Sequence, residues 1–334
     1  MIIGGAEDKL RKRRILKEFV AASGGPQARI TVIPTASSLG DEIVEVYDAL
    51  FRAEGAAEIS TVRPQSREQS NDPELVAELD KATGIFMTGG NQLKLSSIIC
   101  GTAVGDAIVA AHERGAVIAG TSAGASIQSS HMVAFGVGGA TPKQRMTQVA
   151  AGLGLVPGTV IDQHFEQRNR YGRLLMIVAQ SPQLLGIGVD EDTAAIVHDG
   201  VLRVAGRGAV TILDPSNITT NAFDARRSAP LLASGVVLHV LPQGARFDLA
   251  RRQLLPFEVL VDPLEAAELA EAGHDLRQMT RDIAAGDASP SVLRRRLRRT
   301  RKRDARSARP APLTHDHDPE HDQDHVLDTD GDDA

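Results

Sequence analysis

The serine at position 122 stands in a Gly-Thr-Ser-Ala-Gly stretch, residues 120–124. An apolar run, 115–119, precedes this stretch, and a helix is expected to follow from Ala125. A G-x-S-x-G sequence between a strand and a helix is typical of a nucleophile elbow, where a strained turn exposes the serine hydroxyl. The start of the helix offers backbone N–H groups that can stabilise an oxyanion. We therefore predict Ser122 as a nucleophile, while noting that strand-to-helix turns without chemistry share this pattern.

A serine nucleophile needs an imidazole base within hydrogen-bond reach. Of the ten histidines in the chain, His164 is the best placed, because it follows the predicted strand 160–162. Parallel sheets assemble their sites at the carboxyl ends of their strands. The pattern around His131, His198 and His239 predicts hairpins, and these residues stay open as alternatives.

The acid that orients the base is expected at the end of another strand. The predicted strand 186–189 is followed by three acidic residues, Asp190, Glu191 and Asp192. Because alternate residues of an extended chain point in opposite directions, Glu191 shares a face with neither neighbour. At this point all three remain candidates.

The elements around these residues indicate an α/β fold. Short apolar or β-branched runs alternate with segments of helical periodicity; predicted strands cover 29–33, 59–62 and 84–87, and predicted helices cover 42–54 and 93–99. Such alternation predicts a doubly wound, mostly parallel sheet with helices on both faces. From residue 186 onward, short strands separated by tight turns predict an antiparallel hairpin extension.

Composition excludes several classes of protein. Aromatic residues make up 3% of the chain and tryptophan is absent, so base-stacking surfaces are not expected and the core should be aliphatic. The single cysteine, Cys100, excludes an intramolecular disulfide and suits a reducing compartment. The sequence shows neither a secretory leader nor an apolar run of about 18 residues. We therefore expect a cytoplasmic protein without a membrane partner.

The last seventy or so residues differ in composition from the rest. We predict three parts: a catalytic α/β domain over 1–262, a charged helical extension over 263–304 and a disordered His/Asp-rich tail over 305–334. An arginine-rich cluster, 294–303, is a nucleic-acid-binding candidate. The acidic tail beside it can neutralise its positive charge, so we do not expect nucleic acid as a partner. The tail histidines lack the spacing of a preorganised metal site.

Five blocks of sequence, in this order, resemble cyanophycinase, a family of serine peptidases related to aspartyl dipeptidases. The blocks are Ile2–Lys9, Met87–Gln92, Gly120–Ala125, Asp162–Phe165 continued by Gln167–Leu174, and Gly188–Ala194. The resemblance covers about residues 1–260 and implies a fold similar to that of class I glutamine amidotransferases. It also implies a homodimer.

The resemblance implies a role for each residue that matches a family motif. Ser122 corresponds to the nucleophile, His164 to the base and Glu191 to the acid, and the backbone N–H groups of Ala123 and Gly90 would form the oxyanion hole. The order serine, histidine, acid differs from that of α/β-hydrolases, in which the acid precedes the histidine. No cofactor and no metal are implied.

The substrate implied by the resemblance is cyanophycin, a polyaspartate with an arginine on each β-carboxyl group, which is cut to β-Asp-Arg dipeptides. Forked guanidinium donors suit aspartyl carboxylates and carbonyls. The candidate substrate-binding residues are Gln92, Lys94, Asp162, Gln163, Arg168, Arg170 and Arg173. The carboxylates of Glu7, Asp162 and Glu166 are candidates to meet the substrate guanidinium.

Two other functions stay open on the sequence. An aspartyl dipeptidase would act on short Asp-containing peptides and leave the polymer intact. A catalytically silent protein would bind the polymer without cleaving it, and Ser122→Ala would then change nothing. Identification of the released products separates these functions.

Overall fold

The computed structural model describes residues 1–257. These residues belong to one compact unit, Met1–Leu260. The second unit, Val261–Ala334, lies outside the described residues, as do the predicted helical extension, the arginine-rich cluster and the His/Asp-rich tail. The predicted division at residue 262 stays a prediction.

The described residues form seven α-helices and seventeen strands. The helices are α1 (Arg14–Ala22), α2 (Glu42–Ala53), α3 (Pro73–Lys81), α4 (Gln92–Ile99), α5 (Ala103–Glu113), α6 (Ala123–Ser126) and α7 (Tyr171–Gln180). The strands of the first half are β1 (Ile2–Ile3), β2 (Arg29–Ile33), β3 (Glu58–Thr61), β4 (Gly84–Met87), β5 (Val117–Thr121), β6 (His131–Gly136), β7 (Thr147–Ala151) and β8 (Thr159–Gln163). The remaining strands are β9 (Leu185–Val189), β10 (Thr193–His198), β11 (Val201–Gly206), β12 (Val210–Asp214), β13 (Thr219–Thr220), β14 (Ala233–Ser234), β15 (Val237–Leu241), β16 (Arg246–Asp248) and β17 (Gln253–Leu255).

Local sequence signals account for where several helices begin. Asp72 caps α3 by accepting the backbone N–H of Glu74 at 2.9 Å, and Pro73 occupies the first helical position, where its missing N–H costs nothing. Asn91 caps α4 in the same way, with 2.9 Å to the N–H of Lys94. The second of these caps fixes the end of the β4–α4 turn, which lies beside the candidate site.

The large sheet has nine strands in the order β17-β16-β11-β10-β1-β5-β4-β2-β3. Strands β1, β5, β4, β2 and β3 are parallel to one another, whereas β10, β11, β16 and β17 pair antiparallel. The prediction of a mostly parallel sheet extended by antiparallel strands at one edge is confirmed. Strand β1 lies at the junction, with β5 on its parallel side and β10 on its antiparallel side.

A second sheet, which the sequence did not predict, has four strands in the order β15-β12-β9-β8. Its inner face, including Ile161 and Ile187, packs with Ile2, Ala195 and Phe247 of the large sheet in one apolar cluster. Strands β8 and β9 are parallel and were expected in the same sheet as β5. They instead form their own layer with β12 and β15, and the neighbour of β1 opposite β5 is β10.

Helices cover both faces of the parallel strands, as predicted. Helices α1 and α2 pack on one face around an aromatic cluster that includes Phe19, Phe51 and Phe86. Helices α3, α4 and α5 pack on the other face, and α7 packs with Val160 and Leu213 of the second sheet. Within residues 1–257 no single helix has the length and apolar character of a membrane span; α4 and α5 reach them only as a pair bent by 94°.

Candidate active site

The elbow at Ser122 is a sharp turn from β5 directly into α6. The backbone of Ser122 adopts φ 51° and ψ −105°, a conformation that L-residues rarely occupy, and α6 begins at Ala123. The predicted start at Ala125 was therefore two residues late. A Cβ atom at Gly124 would overlap the backbone of Met87, so this position admits only glycine. The close approach of α6 to β4 holds the strained turn in place.

Ser122, His164 and Glu191 form a continuous hydrogen-bonded chain. The Oγ atom of Ser122 lies 3.0 Å from Nε2 of His164, and Nδ1 of His164 lies 2.6 Å from Oε1 of Glu191. The three residues follow strands β5, β8 and β9, which end at the same side of the molecule. These are the distances that a nucleophile, a general base and an orienting acid require.

The two acids beside Glu191 have other partners. Asp190 is buried and accepts the backbone N–H groups of Glu166 and Ala209 at 3.1 and 3.0 Å. Asp192 accepts the N–H of Asp8 at 2.8 Å. These contacts tie the loop after β9 to its surroundings, and they leave Glu191 alone to face the imidazole.

The other candidate histidines do not reach the elbow. His131 is exposed, the side chain of His198 is 89% exposed and pairs with Asp199, and His239 makes an edge-to-face contact with Phe247 at 4.9 Å between ring centroids. Among the residues that the structure describes, none of the three contacts Ser122. Within the same residues, no group of three His, Cys, Asp or Glu side chains is arranged to hold a metal ion.

The environment of His164 keeps its imidazole neutral. Burial lowers the pKa of His164, and the positive charges of Arg168 and Arg170 lower it further. The hydrogen bond and the negative charge of Glu191 act in the opposite direction, but the net pKa lies below the ordinary value. A neutral imidazole can accept the Ser122 proton near neutral pH.

The backbone at the end of β1 binds the nucleophile, the base and the residue that follows the acid. The backbone carbonyls of residues 3–5 accept the N–H groups of Ser122, His164 and Asp192 at 3.0, 2.8 and 2.9 Å, respectively. A Cβ atom at Gly5 would overlap the His164 ring, and Gly5 has φ 106°. The sequence analysis gave this backbone no role. Its signals were the Gly-Gly pair at 4–5 and the place of these residues in the first of the five matching blocks.

Two backbone N–H groups near Ser122 are available to a ligand. Those of Ala123 and Gly90 donate no hydrogen bond to any group in residues 1–257. The turn that carries Gly90 lies against the nucleophile, since a Cβ atom built on Gly89 would lie 3.4 Å from Cβ of Ser122. The Ala123 N–H thus lies at the elbow with the turn of Gly90 beside it, and the role of these two groups as oxyanion donors stays a prediction.

Beside the imidazole lies a buried network of charged residues. Asp162 is fully buried and pairs with both Arg170 and Arg173, including a 2.6 Å bond from Nε of Arg173. Arg170 also donates to Oε1 of Gln163 at 2.9 Å, and that oxygen lies 3.5 Å from Oγ of Ser122. Burial, offset in part by Asp162, lowers the pKa of Arg170 to about 10. The network therefore supports Gln163 next to the nucleophile.

This burial changes the expected roles of the three arginines. Arg173 is 2% exposed and donates through its third guanidinium nitrogen, Nη1, to the carbonyl of Gly136 at 2.8 Å, so its guanidinium does not face solvent. Arg170 is 7% exposed, whereas Arg168 is exposed and has no side-chain partner among residues 1–257. The expectation that Arg170 and Arg173 bind substrate directly was wrong, because both guanidinium groups are buried against Asp162 of β8.

Some of the remaining candidate side chains are bound within the protein, and others are open, that is, exposed and without a side-chain partner in the described part of the chain. Gln92 donates through Nε2 to the carbonyls of β6, at 3.0 Å for Ala134, which leaves its Oε1 free to accept. Lys94 and Glu166 are exposed. Glu7 is 3% exposed and bound within the protein, as is Asp162, so neither meets a substrate guanidinium as the sequence had allowed. Of the three candidate carboxylates, Glu166 is the open one.

Comparison with known proteins agrees with this geometry. Residues 1–205 match peptidase family S51. A cyanophycinase from Nostoc sp. is 42% identical over 77% of this chain and 87% of its own length. Cyanophycinases from Synechococcus elongatus and Geminocystis herdmanii are 39% and 38% identical, over 76% and 74% of this chain and 80% and 92% of their own lengths.

Among solved structures, a peptidase from an acI-B1 Actinobacterium is similar in fold. It has a TM-score of 0.50 and 22% identity, and the match covers 71% of this chain and 95% of that one. The family match includes residues 120–124, which build the elbow. The chain belongs to peptidase family S51, among the cyanophycinases.

Proposed function

We propose that this chain is a serine peptidase that hydrolyses the polyaspartate backbone of cyanophycin and releases β-Asp-Arg dipeptides. The observation that carries the proposal is the chain of contacts from Ser122 through His164 to Glu191, at 3.0 and 2.6 Å, on a strained elbow. The named relatives, which align over most of their length, support the choice of substrate.

Acylation begins when Nε2 of His164 takes the hydroxyl proton and Oγ of Ser122 attacks the carbonyl carbon of a backbone aspartyl residue. The carbonyl oxygen becomes an oxyanion, which the N–H groups of Ala123 and Gly90 stabilise. Glu191 accepts a hydrogen bond from the Nδ1–H of the imidazolium, without taking the proton, and stabilises its positive charge. The imidazolium then protonates the departing amine, and the peptide bond breaks.

Deacylation repeats these steps with water as the nucleophile. The neutral imidazole of His164 takes a proton from water, the hydroxide attacks the ester carbonyl, and the proton returns to Oγ of Ser122. The carboxylate product leaves and the hydroxyl is restored.

Substrate binding uses the open side chains around this centre. Arg168 and Lys94 supply positive charges for the carboxylates that the substrate carries, and Glu166 supplies a negative charge for its guanidinium groups. The free oxygen of Gln92 accepts from a substrate amide. Gln163 lies closest to the reacting atoms and is held by the buried network of Asp162, Arg170 and Arg173, which therefore acts on the substrate indirectly.

The direct test is product identification with the full-length chain. Purified protein is incubated with insoluble cyanophycin, and the soluble fraction is analysed by mass spectrometry. We expect β-Asp-Arg from the wild type and none from Ser122→Ala. Intact polymer together with cleavage of short Asp-containing peptides would instead identify an aspartyl dipeptidase. Polymer that binds to both proteins without cleavage would identify a silent binding protein.

We also propose that the protein is a cytoplasmic homodimer with a fold akin to class I glutamine amidotransferases. The single free cysteine, Cys100, supports a reducing compartment. The family resemblance supports the dimer, as do Leu238 and Val240, each more than half exposed on β15 at the edge of its sheet. Sedimentation of the full-length chain and fractionation of producing cells test these two proposals.

A further inference from the structure

A buried carboxylate lies behind the elbow and has no part in the proposed reaction. Glu7 accepts the hydroxyl of Thr121 through Oε2 and that of Tyr47 through Oε1, both at 2.6 Å, and the ammonium of Lys9 lies 2.8 Å from Oε1. Burial alone would raise the pKa of Glu7, but Lys9 and the three hydrogen bonds outweigh it and hold the pKa below its ordinary value. The carboxylate is therefore ionised and fixed in one orientation.

Its partner on β5 is the residue directly before the nucleophile. Thr121 ends β5, and Ser122 follows with φ 51° and ψ −105°. A strained backbone of this kind persists only where its surroundings over-determine it. Ser122 is held on the backbone side by its N–H bond to the carbonyl of Ile3 at 3.0 Å. The bond between Thr121 and Glu7 is a side-chain clamp on the same turn.

Glu7 also belongs to the chain segment that holds the base and the loop of the acid. The carbonyl of Gly4 accepts the N–H of His164. Asp8, which follows Glu7, donates its N–H to the side chain of Asp192 at 2.8 Å. Because this segment also holds His164, a shift of Ser122 relative to the segment changes the distance between Ser122 and His164. A single side chain thus connects the strand of the nucleophile to the frame of the imidazole.

We propose that Glu7 is a positioning residue, whose carboxylate holds the Thr121 hydroxyl and so sets the distance between Oγ of Ser122 and Nε2 of His164. The inference rests on the proposed role of Ser122 as nucleophile. It predicts that loss of the clamp slows the chemical step, because a misplacement of about 1 Å costs on the order of 100-fold in rate. Substrate binding does not involve the clamp, so KM is unchanged.

The test compares two substitutions at Thr121, one that removes the hydroxyl and one that keeps it. Thr121→Val keeps the shape and removes the donor, and Thr121→Ser keeps the donor. We expect kcat to fall about 10- to 100-fold in Thr121→Val, and to stay near the wild-type value in Thr121→Ser. Glu7→Gln is expected to match Thr121→Val, and the double variant is expected to be no slower than either, because both remove one interaction.

Two further measurements separate positioning from loss of structure. Tyr47→Phe removes a different bond to Glu7 and is expected to keep kcat. The rate at which a fluorophosphonate labels Ser122, recorded below the unfolding temperature of each variant, should fall in parallel with kcat. Wild-type rates in Thr121→Val, equal losses in Thr121→Ser, or a rise in KM alone would overturn the inference. Labelling needs no polymer, so the test stands even if cyanophycin proves not to be the substrate.

Discussion

Replacement of Glu191 by glutamine tests the orienting acid with a change of one charge. Nδ1 of His164 lies 2.6 Å from Oε1 of Glu191, whose side chain is 36% exposed. Within residues 1–257, Oε2 of Glu191 has no hydrogen-bond partner. The amide of a glutamine is therefore free to turn its oxygen toward Nδ1 and keep the imidazole in the tautomer that accepts the Ser122 proton.

The expected loss of kcat depends on which atom of the glutamine amide faces Nδ1. If the amide nitrogen faced Nδ1, the tautomer would be wrong and kcat would fall about 10⁴-fold, as in serine peptidases where the acid becomes an amide. With the oxygen facing Nδ1, the loss is that of a hydrogen bond to a charged group, about 1.5–3 kcal/mol, or roughly 10- to 160-fold in rate. We expect the smaller loss in Glu191→Gln, with KM unchanged.

The pH profile of Glu191→Gln provides a second test, because the direction in which its acid limb moves does not depend on the size of the loss in kcat. Glu191 raises the pKa of His164 through its hydrogen bond and its charge. Its removal lowers that pKa, so the imidazole stays neutral to lower pH and the acid limb of kcat/KM moves to lower pH. The assay is release of soluble dipeptide from cyanophycin over a range of pH.

Glu166→Gln serves as the matched control, since it removes an exposed carboxylate two residues from His164 without touching the ring. We expect its kcat and the acid limb of its profile to stay near the wild type. Wild-type kcat together with an unmoved acid limb in Glu191→Gln would refute the role of Glu191. A 10⁴-fold loss, on the scale of the wrong tautomer, would refute the argument that the amide turns.

Three further substitutions test the surroundings of the imidazole. Arg168→Gln removes a positive charge that lowers the pKa of His164, so the acid limb of kcat/KM should move to higher pH; an unchanged limb would contradict the electrostatic argument. Gly5→Ala should lower kcat about 100-fold, because the added Cβ displaces the His164 ring. Gly25→Ala is the control and should keep kcat, because a Cβ at Gly25 meets nothing within 4 Å. Equal kcat values in the two variants would be inconsistent with this packing. Arg173→Met breaks a buried ion pair and should lower the free energy of unfolding by about 3–5 kcal/mol, measured by urea denaturation; a change near zero, as expected for Arg168→Gln, would show that the pair is not needed.

The catalytic candidates were predictable because their signals are local. The elbow at Ser122 is a short pattern between a strand and a helix, and His164 follows a strand whose end carries polar residues. The choice of Glu191 over its two acidic neighbours came from the family resemblance. The structure gives a physical reason for it, since both aspartates bind backbone N–H groups.

Properties that depend on tertiary packing were not predictable. Arg173 appears in the sequence as a polar residue near a helix start, and its partner Asp162 is 11 residues away. Its burial results from the packing of α7 on a second sheet, and no local pattern distinguished that sheet from the first. The role of residues 3–5 was hidden for a related reason, because their carbonyls act through backbone hydrogen bonds that are independent of side-chain type.

The central claim is that the hydroxyl of Ser122 is the nucleophile. The most direct measurement treats the full-length chain with a fluorophosphonate and follows cyanophycin hydrolysis and the modified peptide by mass spectrometry. The account predicts one adduct per chain, on the peptide that contains Ser122, with activity lost in proportion to labelling. Complete inactivation with Ser122 unmodified, or full hydrolysis by chains fully labelled at Ser122, would contradict it.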